Sequence, residues 1–148
     1  VAMHFFPPIR NTGVKVDHIS DDWRHWRLRL PLSVRTRNYV GTHFGGTLYS
    51  AADPHMMLAW MHILGSDYVV WDKSASIRFR RPGRSMLFAT FRLEDDEVDA
   101  IRAALEREPA VERTYDVELV DAQGTVHFTA AKTIHIRRRE PEPTTAGR

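Results

Sequence analysis

Asp53 is the residue whose chemistry most needs a reason. It stands in a stretch from Gly46 to Leu64 that is apolar on nearly every side, between Ala51-Ala52 and Met56-Met57. A carboxylate in such surroundings is costly unless it is paired, neutralised or used. Ionised and beside water, it would serve as a general base or as a nucleophile. Two other readings stand next to that one: Asp53 caps a second helical segment starting at Pro54, or it hydrogen-bonds across a subunit contact. About two helical turns earlier lies Arg37-Asn38-Tyr39-Val40-Gly41-Thr42-His43-Phe44-Gly45-Gly46. Gly45 and Gly46 open the helix, and the first N–H groups of a helix have no internal partner, so they suit a carbonyl or an oxyanion. A glycine pair also serves simply to let a loop turn tightly under a sheet.

Of the eight histidines, His43 alone falls in this segment and is a candidate for the site. His55 and His62 fall on the apolar helix, as core or interface histidines. His127 and His135 alternate with Thr129, Ala131 and Thr133 on what reads as a solvated sheet face. No pair of histidines has metal-ligand spacing with a carboxylate partner, so no metal is expected. Nucleophile-elbow, phosphate-loop and dinucleotide fingerprints are absent too, and no cofactor is expected.

The elements that must position these residues belong to a chain of 148 residues, 43% hydrophobic and 27% charged, which fits one domain with one core. Its expected organisation is an N-terminal arm over 1–12, a single domain over 13–137 and a disordered polar tail over 138–148. Zero cysteines exclude disulfide scaffolds and thiol nucleophiles, and suit a reducing cytoplasm. The first eight residues lack the pattern of a secretory leader. Asp53, Pro54, His55 and His62 interrupt the longest apolar run, so no membrane span is expected. Of 21 basic residues 18 are arginine, but 19 acidic residues are interspersed among them, which argues against a nucleic-acid partner.

Periodicity predicts the architecture. Trp26, Leu28, Leu30, Leu32 and Val34 alternate with polar residues as a half-buried strand, paired across Ser20-Asp21-Asp22 with a short strand over 13–19. Pro31 marks an edge or a bulge. Gly46 to Leu64 is a long helix closed by Gly65, with a kink at Pro54 that frees the Ser50 carbonyl. Val69, Trp71, Ala75, Ile77 and Phe79 share one face of the next strand, with Lys73 as the exception and Asp72 on the opposite face. Leu87, Ala89, Phe91 and Leu93 alternate after the Pro82-Gly83 turn, and 96–107 read as a surface helix. Two further strands carry Tyr115, Val117, Leu119 and then Val126, Phe128, Ala130, Ile134, Ile136. The class is α+β: one long helix wrapped by a curved antiparallel sheet of about six strands.

The run Asn38-x-x-Gly41-x-x-x-Gly45-Gly46-x-Leu48-Tyr49-Ser50-Ala51-Ala52-Asp53 resembles the N-x-x-G-x-x-H-G-G-x-L-F-S-L-A-D signature of hotdog-fold acyl-CoA thioesterases of the PaaI type. It is closer to an uncharacterised branch with N-Y-V-G-T-x-F-G-G-x-L-Y-S, then D-P, then V-W-D-K-x-A-S-I, here Val70 to Ile77. The resemblance spans about residues 13–137. It implies a hotdog fold, a homodimer or a tetramer built from dimers, and active sites made by two subunits at the dimer interface. It implies hydrolysis of an acyl thioester of CoA or a related carrier, with CoA present only as part of the substrate. Carried over residue by residue, Asp53 is the base or nucleophile, Gly45 and Gly46 polarise the carbonyl, and Asn38 orients water or the acyl group. Thr42, Phe44 and Tyr49 fall beside them as substrate contacts. Arg78, Arg80, Arg81 and Arg84, around Pro82-Gly83, are candidates for the CoA phosphates. Two departures stand out: Phe44 replaces the family's His, with His43 displaced by one, and Pro54 follows the acid. They motivate the alternative of a non-catalytic acyl-binding hotdog protein.

Overall fold

Alternating burial along Trp26, Leu28 and Leu30 starts the sheet, and the order of the later strands bends it around a helix. A computed structural model describes residues 7–140. The elements are α1 (Pro7–Thr12), β1 (Lys15–Ile19), β2 (His25–Leu30), α2 (Gly45–Ala52), α3 (His55–Leu64), β3 (Tyr68–Phe79), β4 (Leu87–Arg92), α4 (Asp95–Arg107), β5 (Ala110–Val120) and β6 (Val126–Arg138). All strand pairs are antiparallel, in the order β1-β2-β4-β5-β6-β3. The two long hydrophobic ladders are β5 on β6 and β6 on β3, whereas β4 meets β5 at a single pair, Phe88 with Val120.

The core lies between the sheet's inner face and the segments α2 and α3. Trp26, Leu28, Leu30, Leu87, Phe128 and Ile134 come from the strands, and Leu48, Ala51, Met56 and Trp60 from the helices. A helix with so little polar surface is stable only when wrapped in this way. The amphipathic α4 crosses between β4 and β5 with Val98, Ile101 and Leu105 buried. Three acids in its first turn complement its dipole.

Local chemistry explains the departures from the periodic reading. The strand predicted through Val34 stops at Leu30, because Pro31 cannot donate to a ladder; Val34 is fully out in solvent. The central helix runs from Gly45 to Leu64 in two segments, broken at Asp53-Pro54. Gly65, at φ +83°, closes it through its N–H on the Met61 carbonyl. Asp53 does not cap the second segment: Pro54 occupies that position and no side chain caps it.

The β3 face also differs from the one predicted. A bulge at Lys73, between Asp72 and Ser74 in register with β6, reverses the alternation there. Ala75, Ile77 and Phe79 face inward opposite Lys132, Ala130 and Phe128 as expected. Before the bulge the inward residues are Val70 and Asp72, while Trp71 lies outside and stacks on His135 with ring centroids 5.0 Å apart.

At the termini, α1 sends Ile9 into the core, so the arm is packed over 7–12. Arg138 belongs to β6 and not to the tail; residues 1–6 of the arm and 141–148 of the tail lie outside the described residues. Among the described residues, no helix is long and apolar enough to cross a membrane.

Candidate active site

The glycine-rich loop is held by Asn38. Its Oδ1 accepts the N–H groups of Val40 and Thr42 at 3.1 and 3.0 Å, and its Nδ2 donates to Thr42 Oγ1 at 2.8 Å. Gly41, at φ +81°, supplies the turn that this arrangement requires. Asn38 therefore spends both ends of its amide on the loop, and Thr42, buried, is its partner.

His43 is also a bracing residue. Its N–H donates to the Gly83 carbonyl at 3.0 Å and its Nε2 meets the Ser85 carbonyl at 2.8 Å. A side chain at Gly83 would come within 2.9 Å of the imidazole, so glycine is needed where the Pro82-Gly83 turn crosses the ring. Burial holds the imidazole below its usual pKa, so it is neutral near pH 7.

The loop delivers the chain into α2 with Gly45 and Gly46 between two aromatic rings. A Cβ at Gly45 would touch the Phe79 ring at 3.1 Å, and one at Gly46 would strike Phe44 at 2.6 Å. The first helix amides to find acceptors are Thr47 and Leu48, both on the Phe44 carbonyl at 3.0 and 3.1 Å. Among the described residues, the N–H groups of Gly45 and Gly46 have no acceptor. A pocket of about 400 Å³ lies there, lined by Thr42, Gly45, Leu48, Phe79, Arg80 and Arg81. It combines an apolar wall with the free amide of Gly45 and the side chains of Arg80 and Arg81; Gly46 stands behind Gly45 and is not part of its lining.

The four candidate arginines do not act as one cluster. Arg80 and Arg81 border that pocket. Arg78 faces an outer groove with Asp116 and Glu118, and Arg80 borders that groove too, its Nε donating to Thr129 Oγ1 at 3.3 Å. Arg84 reaches back to the Val40 carbonyl at 3.4 Å.

At the other end of α2 the Asp53 carboxylate is partly exposed, and it has a partner that the periodic reading passed over. Lys132 of β6 is fully buried and places Nζ 3.0 Å from Asp53 Oδ1 and 3.0 Å from Asp72 Oδ2. The same ammonium donates to the Asp53 backbone carbonyl. Burial raises the Asp72 pKa, and the hydrogen bond and charge of Lys132 oppose that rise. Tyr49, one turn before Asp53, has its phenol pushed up to about 12 by burial and then by the Asp53 carboxylate, so it remains a proton donor. Its ring lies 5.9 Å from the Lys132 ammonium.

The signal for Lys132 was present in its phase: it occupies an inward position of the series Phe128, Ala130, Ile134, Ile136. For Asp72 the signal was indirect: Lys73 breaks the period of its strand, and the bulge there turns Asp72 inward.

The remaining histidines split as well. His55 is core, between Trp26 and Phe91, with both ring nitrogens unpartnered. His62 stacks flat on Trp23 at 3.4 Å. His127 is not on a solvated face: it is buried, 3.0 Å from Asp121 through Nε2, because the N–H groups of Arg80 and Arg81 bring their segment across its carbonyl. Among the described residues, no three His, Cys, Asp or Glu side chains gather as metal ligands.

Asp53 follows Gly46 by seven residues, which along a helix is about 10 Å. One thioester group cannot touch both within a single chain.

Comparison with solved structures places this geometry in a known fold. A Pseudomonas aeruginosa protein of unknown function, named as a probable thioesterase, superposes with a TM-score of 0.81 at 19% identity, over 93% of this chain and 91% of that one. A Haemophilus influenzae thioesterase gives 0.69 at 13% identity, over 95% and 89%. The E. coli PaaI protein of the phenylacetic acid degradation operon gives 0.60 at 20%, over 90% and 92%. The fold is the hotdog fold of PaaI-like proteins. Among curated proteins none matches in sequence. The family model that matches, over residues 1–136, is a domain of unknown function, and the chain belongs to that family, DUF4442.

Proposed function

We propose that this protein hydrolyses acyl thioesters of CoA or of a related carrier, with its active sites at the interface of a homodimer. The observation that carries the reading is the pair of unpartnered amides at Gly45 and Gly46 on a helix that also presents the Asp53 carboxylate. The thioester oxygen would sit on the two amides, which are aimed where negative charge develops. Asp53 would take a proton from water as the oxygen of that water adds to the carbonyl carbon. Collapse of the tetrahedral intermediate breaks the C–S bond, and the proton held on Asp53 passes to the departing sulfur. The products are a carboxylic acid and a thiol.

The separation between Asp53 and the glycines along the helix favours a site in which each comes from a different subunit. β3 supplies a means of pairing. It is an edge strand of 12 residues with Ile77 and Phe79 exposed on the helix side of the sheet. A long apolar edge is a template for another strand, and a twofold contact puts the same strand on both sides. Ile77→Glu gives a monomer in analytical ultracentrifugation, and hydrolysis falls by about two orders of magnitude as the partner's oxyanion donors are lost. A monomer with full activity would remove the two-subunit site, and a dimer of unchanged mass would remove the pairing through β3.

Arg80 and Arg81, at the mouth of the same pocket, have the fork geometry that suits the phosphates of CoA. Release of thiol from short, long and aromatic acyl-CoA esters tests the activity, with calorimetric titration of the same esters alongside. Phe44, apolar where the PaaI pattern has His, favours one rival: saturable binding with no thiol release identifies a non-catalytic acyl-binding protein.

A further inference from the structure

We propose that Lys132 is a positioning residue for the hydrolysis, fixing the Asp53 carboxylate through the break in the central helix and itself anchored by Asp72. This rests on the hydrolase reading of Asp53. An ammonium has three N–H donors and no acceptor. Lys132 meets three acceptors: the Asp53 carbonyl, Asp53 Oδ1 and Asp72 Oδ2. The break in the helix between Ala52 and His55 leaves the Asp53 carbonyl without a helical donor, and the ammonium takes that place. Backbone and side chain of Asp53 are thus gripped by one cation, which restricts its rotamers. Lys132 occupies Oδ1, and the Tyr49 phenol also bears on the carboxylate by a hydrogen bond. With the side chain 43% exposed, the carboxylate remains accessible to water.

The charges facing this cluster come from every element packed on it. Asp53 lies between α2 and α3, Tyr49 comes from α2, His55 from α3 and Asp72 from β3. Tyr115 of β5 is opposite Lys132 in register but gives its hydroxyl to Glu97. Two carboxylates around one ammonium leave a single net negative charge, the charge a general base needs.

Lys132→Met and Asp72→Asn test the assignment because they push the electrostatics in opposite directions. Removing the cation makes protonation of the base easier, so the acid limb of the kcat profile moves to higher pH by about one unit. Neutralising Asp72 removes a like charge, and the limb moves to lower pH. In Lys132→Met kcat falls about 100-fold while KM stays within about threefold, since the carbonyl site at Gly45 and Gly46 is untouched. A purely structural role moves the melting temperature and leaves the acid limb in place in both variants, which overturns the proposal. If Lys132→Met does not fold, the direction of the Asp72→Asn shift alone decides.

A readout without turnover separates this proposal from the activity itself. Three-bond couplings of the Asp53 side chain report one χ1 rotamer in the wild type and rotamer averaging in Lys132→Met. Wild-type protein that releases no thiol from any ester removes the hydrolase reading, whatever the couplings show. Wild-type turnover with an averaged Asp53 rotamer removes the positioning role alone.

Discussion

Asp53→Asn lowers kcat for thioester hydrolysis by about three orders of magnitude and leaves the fold in place. The amide keeps the shape of the side chain but cannot hold the proton that water must give up. The structure explains why folding survives. Lys132 loses one charged acceptor and retains two others, the Asp72 carboxylate at 3.0 Å and the residue-53 carbonyl. The loss of stability is held to about 1.5 to 3 kcal/mol, the range for a hydrogen bond to a charged group. Asp53→Ala gives the same kinetic result, with the residue-53 carbonyl and the Asp72 carboxylate kept as acceptors for Lys132. Steady-state thiol release with a matched thermal melt checks both variants. An Asn variant with wild-type kcat would show that the base is elsewhere.

Acid produces the second large effect, through His55. The ring is fully buried against Trp26 and Phe91, and neither nitrogen has a partner. Burial first, and the nearby Lys132 charge second, hold its pKa down to about 3, while the Asp53 carboxylate opposes them. In the unfolded chain a histidine titrates near 6.5. Between those values the unfolded state binds the extra proton, so stability is full above about pH 6.5 and falls as pH decreases toward 3. The slope reaches up to about 1.4 kcal/mol per pH unit.

His43, also lowered by burial, adds in the same direction. Asp22, Glu112 and Asp121 are held below ordinary carboxylate values by hydrogen bonds, so their contributions fade at lower pH. His55→Leu therefore flattens, without abolishing, the fall in melting temperature between about pH 6.5 and 4.5. It also raises stability at pH 7 by about 1 to 3 kcal/mol, because two unsatisfied buried nitrogens are removed. An unchanged slope would place the acid sensitivity in other groups.

The parts of the fold that were legible in the sequence are those where one physical rule acts alone. Trp26, Leu28 and Leu30 alternate because β2 has one buried face, and Val98, Ile101 and Leu105 recur because α4 has one. The hotdog resemblance rested on the glycine-rich run before an apolar helix, and that run does lead into α2. Asp53 was legible as an acid needing a reason because its neighbours are apolar. Its reason was not legible, since Lys132 is 79 residues away in sequence and meets it only through the sheet. Lys73 broke the period of its strand, and that single irregularity marked the bulge which turns Asp72 inward. The arginines were close in sequence, but the end of β3 and the Pro82-Gly83 turn divide them: Arg78 and Arg80 share an outer groove, Arg80 and Arg81 border the pocket at Gly45, and Arg84 turns back to Val40.

The single pair between β4 and β5 has a consequence for how this chain folds. With only Phe88 opposite Val120 there, the hydrogen-bonded network divides into two ladders, β1-β2-β4 and β5-β6-β3. Each contains one hairpin between strands adjacent in sequence, which closes early at small entropic cost. The third strand of each ladder joins over a long connection, 31–86 between β2 and β4 and 80–125 between β3 and β6, and the central helix, carried by the first, packs on strands of both ladders. Docking of that helix is thus the event that joins two cooperative units into one, and amide exchange in the two ladders reports them separately. The ammonium of Lys132 belongs to one of these units and clasps the helix that unites them.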